Sequence, residues 1–124
     1  MADGGCSIRL LDARISADEL RELCDAWFED MVKYVVDVSR GVVAAGGEMH
    51  ADAEAVLLAE GSRQEDLWGA NDYPGRGRED CIEYTSLINI RPAVGNRSME
   101  ILAPAVRERV RDLTFRLLGE GEEI

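Results

Sequence analysis

The stretch Val32-Lys33-Tyr34-Val35-Val36-Asp37-Val38-Ser39-Arg40-Gly41-Val42-Val43-Ala44-Ala45 decides the fold. Met31, Tyr34, Val35, Val38, Val42 and Ala45 keep a helical period, so one long helix could continue from upstream and stop at Gly46-Gly47. Against this, Val32, Tyr34, Val35, Val36 and Val38 are β-branched or aromatic, with Ser39-Arg40-Gly41 following as a turn. Such residues suit a pleated, half-buried surface, and Gly41 suits a turn position with positive φ. The hairpin is the reading taken here, with strands over 32–38 and 42–45. The helix extension is the alternative.

Upstream, Ser7 to Leu11 reads as a short strand. Ser16 with Glu19 makes a capping box, and Ile15 with Leu20 a hydrophobic staple, so a helix starts here. Leu20, Leu23, Cys24, Trp27, Phe28 and Met31 then form its apolar stripe. Downstream, Asp52 to Glu60 reads as a helix with Asp52 as cap and Gly61 as stop. Leu67–Tyr73 reads as a strand, and Cys81–Arg91 as the longest strand, ended by Pro92. In that strand Ile82, Tyr84, Ser86, Ile88 and Ile90 share one face, while Glu83, Thr85, Asn89 and Arg91 face outward. A last helix runs from Pro104 to Gly119 with Val106, Val110, Leu113 and Leu117 as its stripe, and residues 119–124 read as a frayed acidic tail. The expected architecture is one α+β domain over 1–124, with its core at 15–118. It is a small, mostly antiparallel sheet packed with an N-terminal and a C-terminal amphipathic helix.

The 124 residues carry 14 Lys+Arg against 25 Asp+Glu, a net charge of −11. This balance argues against general nucleic-acid binding, because phosphate contacts need a basic face. It argues equally against anionic membranes. The charge is uneven: residues 1–60 hold 13 acidic and 5 basic groups, a balance of −8, and residues 61–124 hold 12 and 9, a balance of −3. A small anionic ligand is therefore compatible with the second half. Met1 to Ser16 shows no basic region followed by an apolar one, and Cys6, Cys24 and Cys81 are odd in number without a CxxC. Both features fit a cytoplasmic protein.

Three stretches carry groups capable of chemistry. In Glu48-Met49-His50-Ala51-Asp52-Ala53-Glu54 the sole histidine sits among carboxylates. His50, Asp52 and Glu54 form a plausible divalent-metal donor set, able in principle to activate water, although no HExxH is present. The plainer reading is a polar turn and an acidic helix start. Arg91, Asn96, Arg97 and Ser98 crowd a strand end and its loop, as would suit a carboxylate or phosphate. The plainer reading there is a loop whose arginines pair with carboxylates. Asn71 and Tyr73, with Asn89 and Arg91 from the next strand, would line a polar sheet face. No GxSxG or phosphate-loop signature accompanies them.

Met31-Val32-Lys33, Glu48 to Glu54, Leu67-Trp68-Gly69-Ala70-Asn71, Tyr84 to Pro92 and Asn96-Arg97-Ser98 together resemble a small family of uncharacterised prokaryotic proteins. The resemblance implies a prokaryotic, single-domain protein and supplies no activity, cofactor or catalytic residue. The expected function is non-enzymatic: a ligand- or partner-binding domain acting as a homodimer, with Trp27 and Trp68 available for association. The competing expectation is a metal-dependent hydrolase using His50, Asp52 and Glu54.

Overall fold

The computed structural model describes residues 8–124. Its strands are β1 (Arg9–Leu11), β2 (Val32–Asp37), β3 (Val42–Ala45), β4 (Leu67–Asp72) and β5 (Ile82–Glu83). Its α-helices are α1 (Ala17–Trp27), α2 (His50–Ala59) and α3 (Pro104–Leu117). The strands form one antiparallel sheet in the order β1-β3-β2-β4-β5, which bears out the α+β class. Ser7 and Cys6 lie outside the described residues. No helix among the described residues is long and apolar enough to cross a membrane.

The hairpin reading holds. Val35 pairs with Ala44 and Val36 with Val43 across β2 and β3. The turn is held by Asp37, whose Oδ1 accepts from Ser39 N at 2.9 Å and Arg40 N at 2.8 Å. Gly41 closes it at φ +72°, the conformation expected of glycine there. The carboxylate's other oxygen accepts from the Ser62 hydroxyl at 2.6 Å, so Asp37 is buried rather than solvated.

Both faces of the sheet are covered. Tyr34, Val36, Val43, Trp68 and Ala70 pack against Leu20, Leu23 and Cys24 of α1 and Val110, Leu113 and Leu117 of α3. Val35, Ala44 and Leu67 point the other way, onto Ala53 and Leu57 of α2. Two-sided burial explains the run Val35-Val36 and the pair Ala44-Ala45, which a sheet with one wet face would interrupt with polar residues. Tyr34 ties the layers together. Thr114 Oγ1 donates to the Val110 carbonyl at 2.8 Å and accepts from the Tyr34 hydroxyl at 2.6 Å, both groups being buried.

Helix α1 begins as read, with both halves of the Ser16–Glu19 capping box present. Four expectations need correction. The α1 stripe stops at Trp27, because Glu29 turns the chain at φ +68° and its N–H bonds back to the Cys24 carbonyl. Helix α2 starts at His50 rather than behind Asp52, and its N-cap, Met49, makes no side-chain cap bond. The acidic tail is docked: the Gly121 carbonyl accepts from Gly75 N and Gly77 N, each at 3.0 Å, and Ile124 packs on the core.

The largest correction concerns Cys81–Arg91, where only Ile82 and Glu83 are strand. Beyond them the chain leaves the sheet through a short 3-10 turn, Leu87–Asn89, and returns by isolated bridges Thr85–Glu100 and Arg91–Asn96. The Asn89 side chain takes the place of the missing strand. Its Oδ1 accepts from Gly69 N at 2.9 Å, and its Nδ2 donates to the Gly69 carbonyl at 3.0 Å and to the Met99 carbonyl at 3.0 Å. Asn89 is thus fully buried, not outward-facing.

Candidate functional site

Where β5 peels off β4, a cavity of about 290 Å³ opens against the first turn of α2. Lys33 from β2 and Asn71 from β4 form one wall, and Met49, His50 and Ala51 from the start of α2 another. Thr85 to Ile88 and Met99 close the third side, so the lining is mostly apolar. Larger hollows of about 510 and 610 Å³ exist: the first is walled by Arg21, Glu29, Asp30 and Glu123, and the second sets Leu87, Ile88, Ile90 and Val94 beside Gln64, Glu65 and the Glu54–Arg91 pair. The smaller cavity combines an apolar lining with the buried polar side chains of His50, Asn71 and Ser86, the combination that ligand sites usually have.

Gly69 makes this arrangement possible. A Cβ there would stand 2.7 Å from Ser86 Cβ and 3.1 Å from His50 Cδ2, so only glycine lets both side chains lie on the strand. His50 is 8% exposed, and its Nε2 is 2.8 Å from the Ala70 carbonyl. A carbonyl only accepts, so Nε2 carries the proton and the neutral ring leaves Nδ1 as an acceptor. Burial lowers the His50 pKa from its ordinary 6.5, and Lys33 pushes the same way against the Ala70 carbonyl and Asn71. The ring is therefore neutral near pH 7.

Asn71 is 7% exposed, and its Nδ2 donates to Glu83 Oε1 at 2.8 Å. The same Glu83 oxygen accepts from the Tyr73 hydroxyl at 3.2 Å. Asn71 Oδ1 is buried and has no hydrogen-bond partner among the described residues.

The residues singled out in the sequence fall into separate places. Asn71, Tyr73 and Glu83 come together without the Asn89 and Arg91 expected beside them, and His50 joins Asn71 at the cavity. His50, Asp52 and Glu54 do not converge. His50 faces Ala70, Asp52 is exposed, and Glu54 Oε2 pairs with Arg91 Nη2 at 3.2 Å. Among the described residues no group of three His, Cys, Asp or Glu side chains is placed to hold a metal ion.

Arg91 is likewise committed. It donates to the Leu67 carbonyl as well as to Glu54, and its guanidinium lies 5.3 Å from the Trp68 ring centroid. Burial lowers its pKa, partly countered by Glu54. Asn96 is a buried structural clamp, donating to the carbonyls of Asn89, Ser98 and Glu100 and accepting from Leu102 N at 2.9 Å. Ser98 Oγ accepts from Glu100 N at 3.0 Å, while Arg97 is exposed. Trp68 is buried in the core, and Trp27 is 44% exposed.

Lys33, Thr85 and Ser86 are cavity residues that the sequence reading did not select. The available signal was Gly69, a glycine inside a strand, which marks close approach by another group.

Residues 9–117 match the model of a family described as protein of unknown function (DUF5674). No curated protein and no solved structure matches the chain significantly. The match spans most of its length, and the chain belongs to this family.

Proposed function

From membership of a family whose activity is open, we propose that this protein binds a small molecule in the cavity between the start of α2 and Thr85–Ile88. The observation that carries the reading is convergence. Three separate stretches bring a neutral histidine in a single tautomer, a buried carboxamide and an apolar lining to one small cavity. Maintaining it constrains Gly69 to have no side chain, which weakens the strand at that point. The reading is of binding: among the described residues no group of three His, Cys, Asp or Glu side chains is placed to hold a metal ion, and the Ser86 hydroxyl in the same cavity is engaged by Ile88 N.

The test is a fragment screen by thermal shift, with hits mapped by amide chemical shifts. A ligand of the native state raises its unfolding temperature. Hits that move Met49–Ala51, Asn71 and Thr85–Ile88 together are expected. A screen whose hits all map elsewhere, or that yields none, removes this reading.

A further inference from the structure

On the sheet face away from the cavity, residues 119–124 lie against the loop that leaves β4. The Gly121 carbonyl accepts from Gly75 N and Gly77 N, each at 3.0 Å, and Ile124 rests on the core. Gly121 lies so close that a Cβ on it would stand 2.5 Å from the Gly77 carbonyl oxygen and 2.9 Å from Cys81 Cβ. Cys81 is fully buried beneath this contact, and Glu123 and Ile124 border Cys24. The ion pairs that help to hold the segment, Arg78–Glu120 and Arg14–Glu122, are exposed, and exposed pairs contribute little.

Asp72 lies beside both thiols, 1% exposed and with Oδ1 unpartnered among the described residues. Glu122 acts on it from the segment, Arg14 from the link between β1 and α1, and Cys81 from the loop before β5. Cys24 of α1 and the Tyr34 hydroxyl of β2 feel its charge in turn. Arg21, Asp25 and Asp30 act on Cys24, and Asp80 on Cys81. Arg14, the cation that reaches Asp72, is shared with Glu122 Oε2 at 3.5 Å. A neutral carboxyl suits this setting. A carboxylate with an unmatched oxygen and a second carboxylate nearby needs water.

We propose that residues 119–124 are a strap that opens more readily once Asp72 carries its charge, admitting water to the carboxylate and baring the Cys81 thiol. Opening gives up surface bonds that water replaces, and it hydrates a carboxylate that the docked segment keeps dry. Burial raises the Asp72 pKa from 3.8 to about 7, Glu122 adding to the rise against Arg14 and Cys81. The docked form therefore holds a proton that the open form releases, and rising pH favours opening. Glu122, whose own pKa is lowered by backbone N–H groups, stays charged above pH 5 and supplies no competing step.

The experiment follows hydrogen exchange of the full chain at Gly75 and Gly77, the amides bonded to Gly121, corrected for the intrinsic pH dependence of exchange. Their protection is expected to fall roughly a hundredfold between pH 5 and pH 8, as a group with a pKa of about 7 when docked and 3.8 when open requires. Asp72→Asn keeps a neutral group in place and is expected to make this protection independent of pH. Dithiodipyridine, with the labelled site read by mass spectrometry, should modify Cys81 at pH 8 at least about tenfold more slowly in Asp72→Asn than in wild type. Gly121→Ala leaves Asp72 in place but forbids the close approach, so it should speed labelling of Cys81 already at pH 5. That variant keeps the test decisive if Asp72→Asn fails to fold. Protection that changes less than about tenfold over the range, a fall that persists in Asp72→Asn, or a Cys81 as slow in Gly121→Ala as in wild type overturns the strap. So does protection at Gly75 and Gly77 equal to that of the β2–β3 amides at every pH, because the segment then opens only with the whole chain.

Discussion

The carboxamide of Asn89 provides the unpaired edge of Gly69 with one acceptor and one donor, as a neighbouring strand would. Its second N–H reaches the Met99 carbonyl and fastens the returning chain to the same point. The two bonds to Gly69 are buried with the side chain and the third is partly so, so the loss of the Gly69 pair is not repaired by water. Asn89→Ala leaves a strand N–H and two carbonyls short of their partner and opens a cavity of amide size. The expected destabilisation is about 2–4 kcal/mol, read as a lower denaturant midpoint with the slope unchanged. Asn89→Asp should cost at least as much, because a carboxylate sets an acceptor against two carbonyl oxygens. Wild-type stability in either variant would mean that the edge of β4 does not depend on this amide. Asn96 plays the related part for the 89–102 excursion, holding three carbonyls with one nitrogen.

At the scale of elements, what was legible in the sequence was what local chemistry fixes. The start of α1 follows from Ser16 and Glu19, and the β2–β3 turn from Gly41, each within a few residues of its cause. The end of the long strand was not legible. The alternation from Ile82 to Ile90 is genuine, yet the bonds that end it come from Asn89 to Gly69, 20 residues away, which no local pattern records. The site divided in the same way. His50 and Asn71 were visible as polar groups among apolar ones, but their meeting depends on β4 passing under α2. The α1 stop was misread because its turn uses Glu29 instead of glycine. Left-handed backbone costs a non-glycine residue about 1–2 kcal/mol, part of which glycine returns through its freer unfolded chain. Glu29→Gly should therefore raise stability by roughly 1 kcal/mol, a melting-temperature gain of about 4 °C, whereas Glu29→Ala should give none. Equal effects of the two substitutions would show that the side chain, not the backbone, governs this stop.

For the whole molecule, the excess of acid matters most at Asp72, which unlike the buried and hydrogen-bonded Asp37 keeps an oxygen unmatched. Asp72 is 1% exposed at the end of β4, on the face covered by α1 and α3, and its Oδ1 has no partner among the described residues. Burial raises its pKa from 3.8 to about 7; Glu122 of the docked tail adds to the rise, while Arg14 and the Cys81 thiol oppose it. Cys24 and Cys81 are pushed up to about 11, first by burial and then by the Asp72 charge, so both stay thiols when Asp72 ionises. The sign of the stability effect follows from proton counting. Between pH 3.8 and about 7 the folded chain holds the Asp72 proton and the unfolded chain does not. This group's contribution therefore falls as pH rises through that window and levels off above it. A shift of this size corresponds to about 4 kcal/mol at alkaline pH. The lowered pKa values of Glu19, through its bonds to Ser16 and Arg9, and of Glu122, through backbone N–H groups, act in the opposite direction, at the acid end. A difference between variant and wild type isolates Asp72 from them. Asp72→Asn should match wild type in urea unfolding near pH 4 and exceed it by a few kcal/mol near pH 8, the gap opening between those values. A gap that is constant with pH would mean that Asp72 ionises as freely in the folded chain as in the unfolded one, and the docked tail would then carry no electrostatic strain against the sheet.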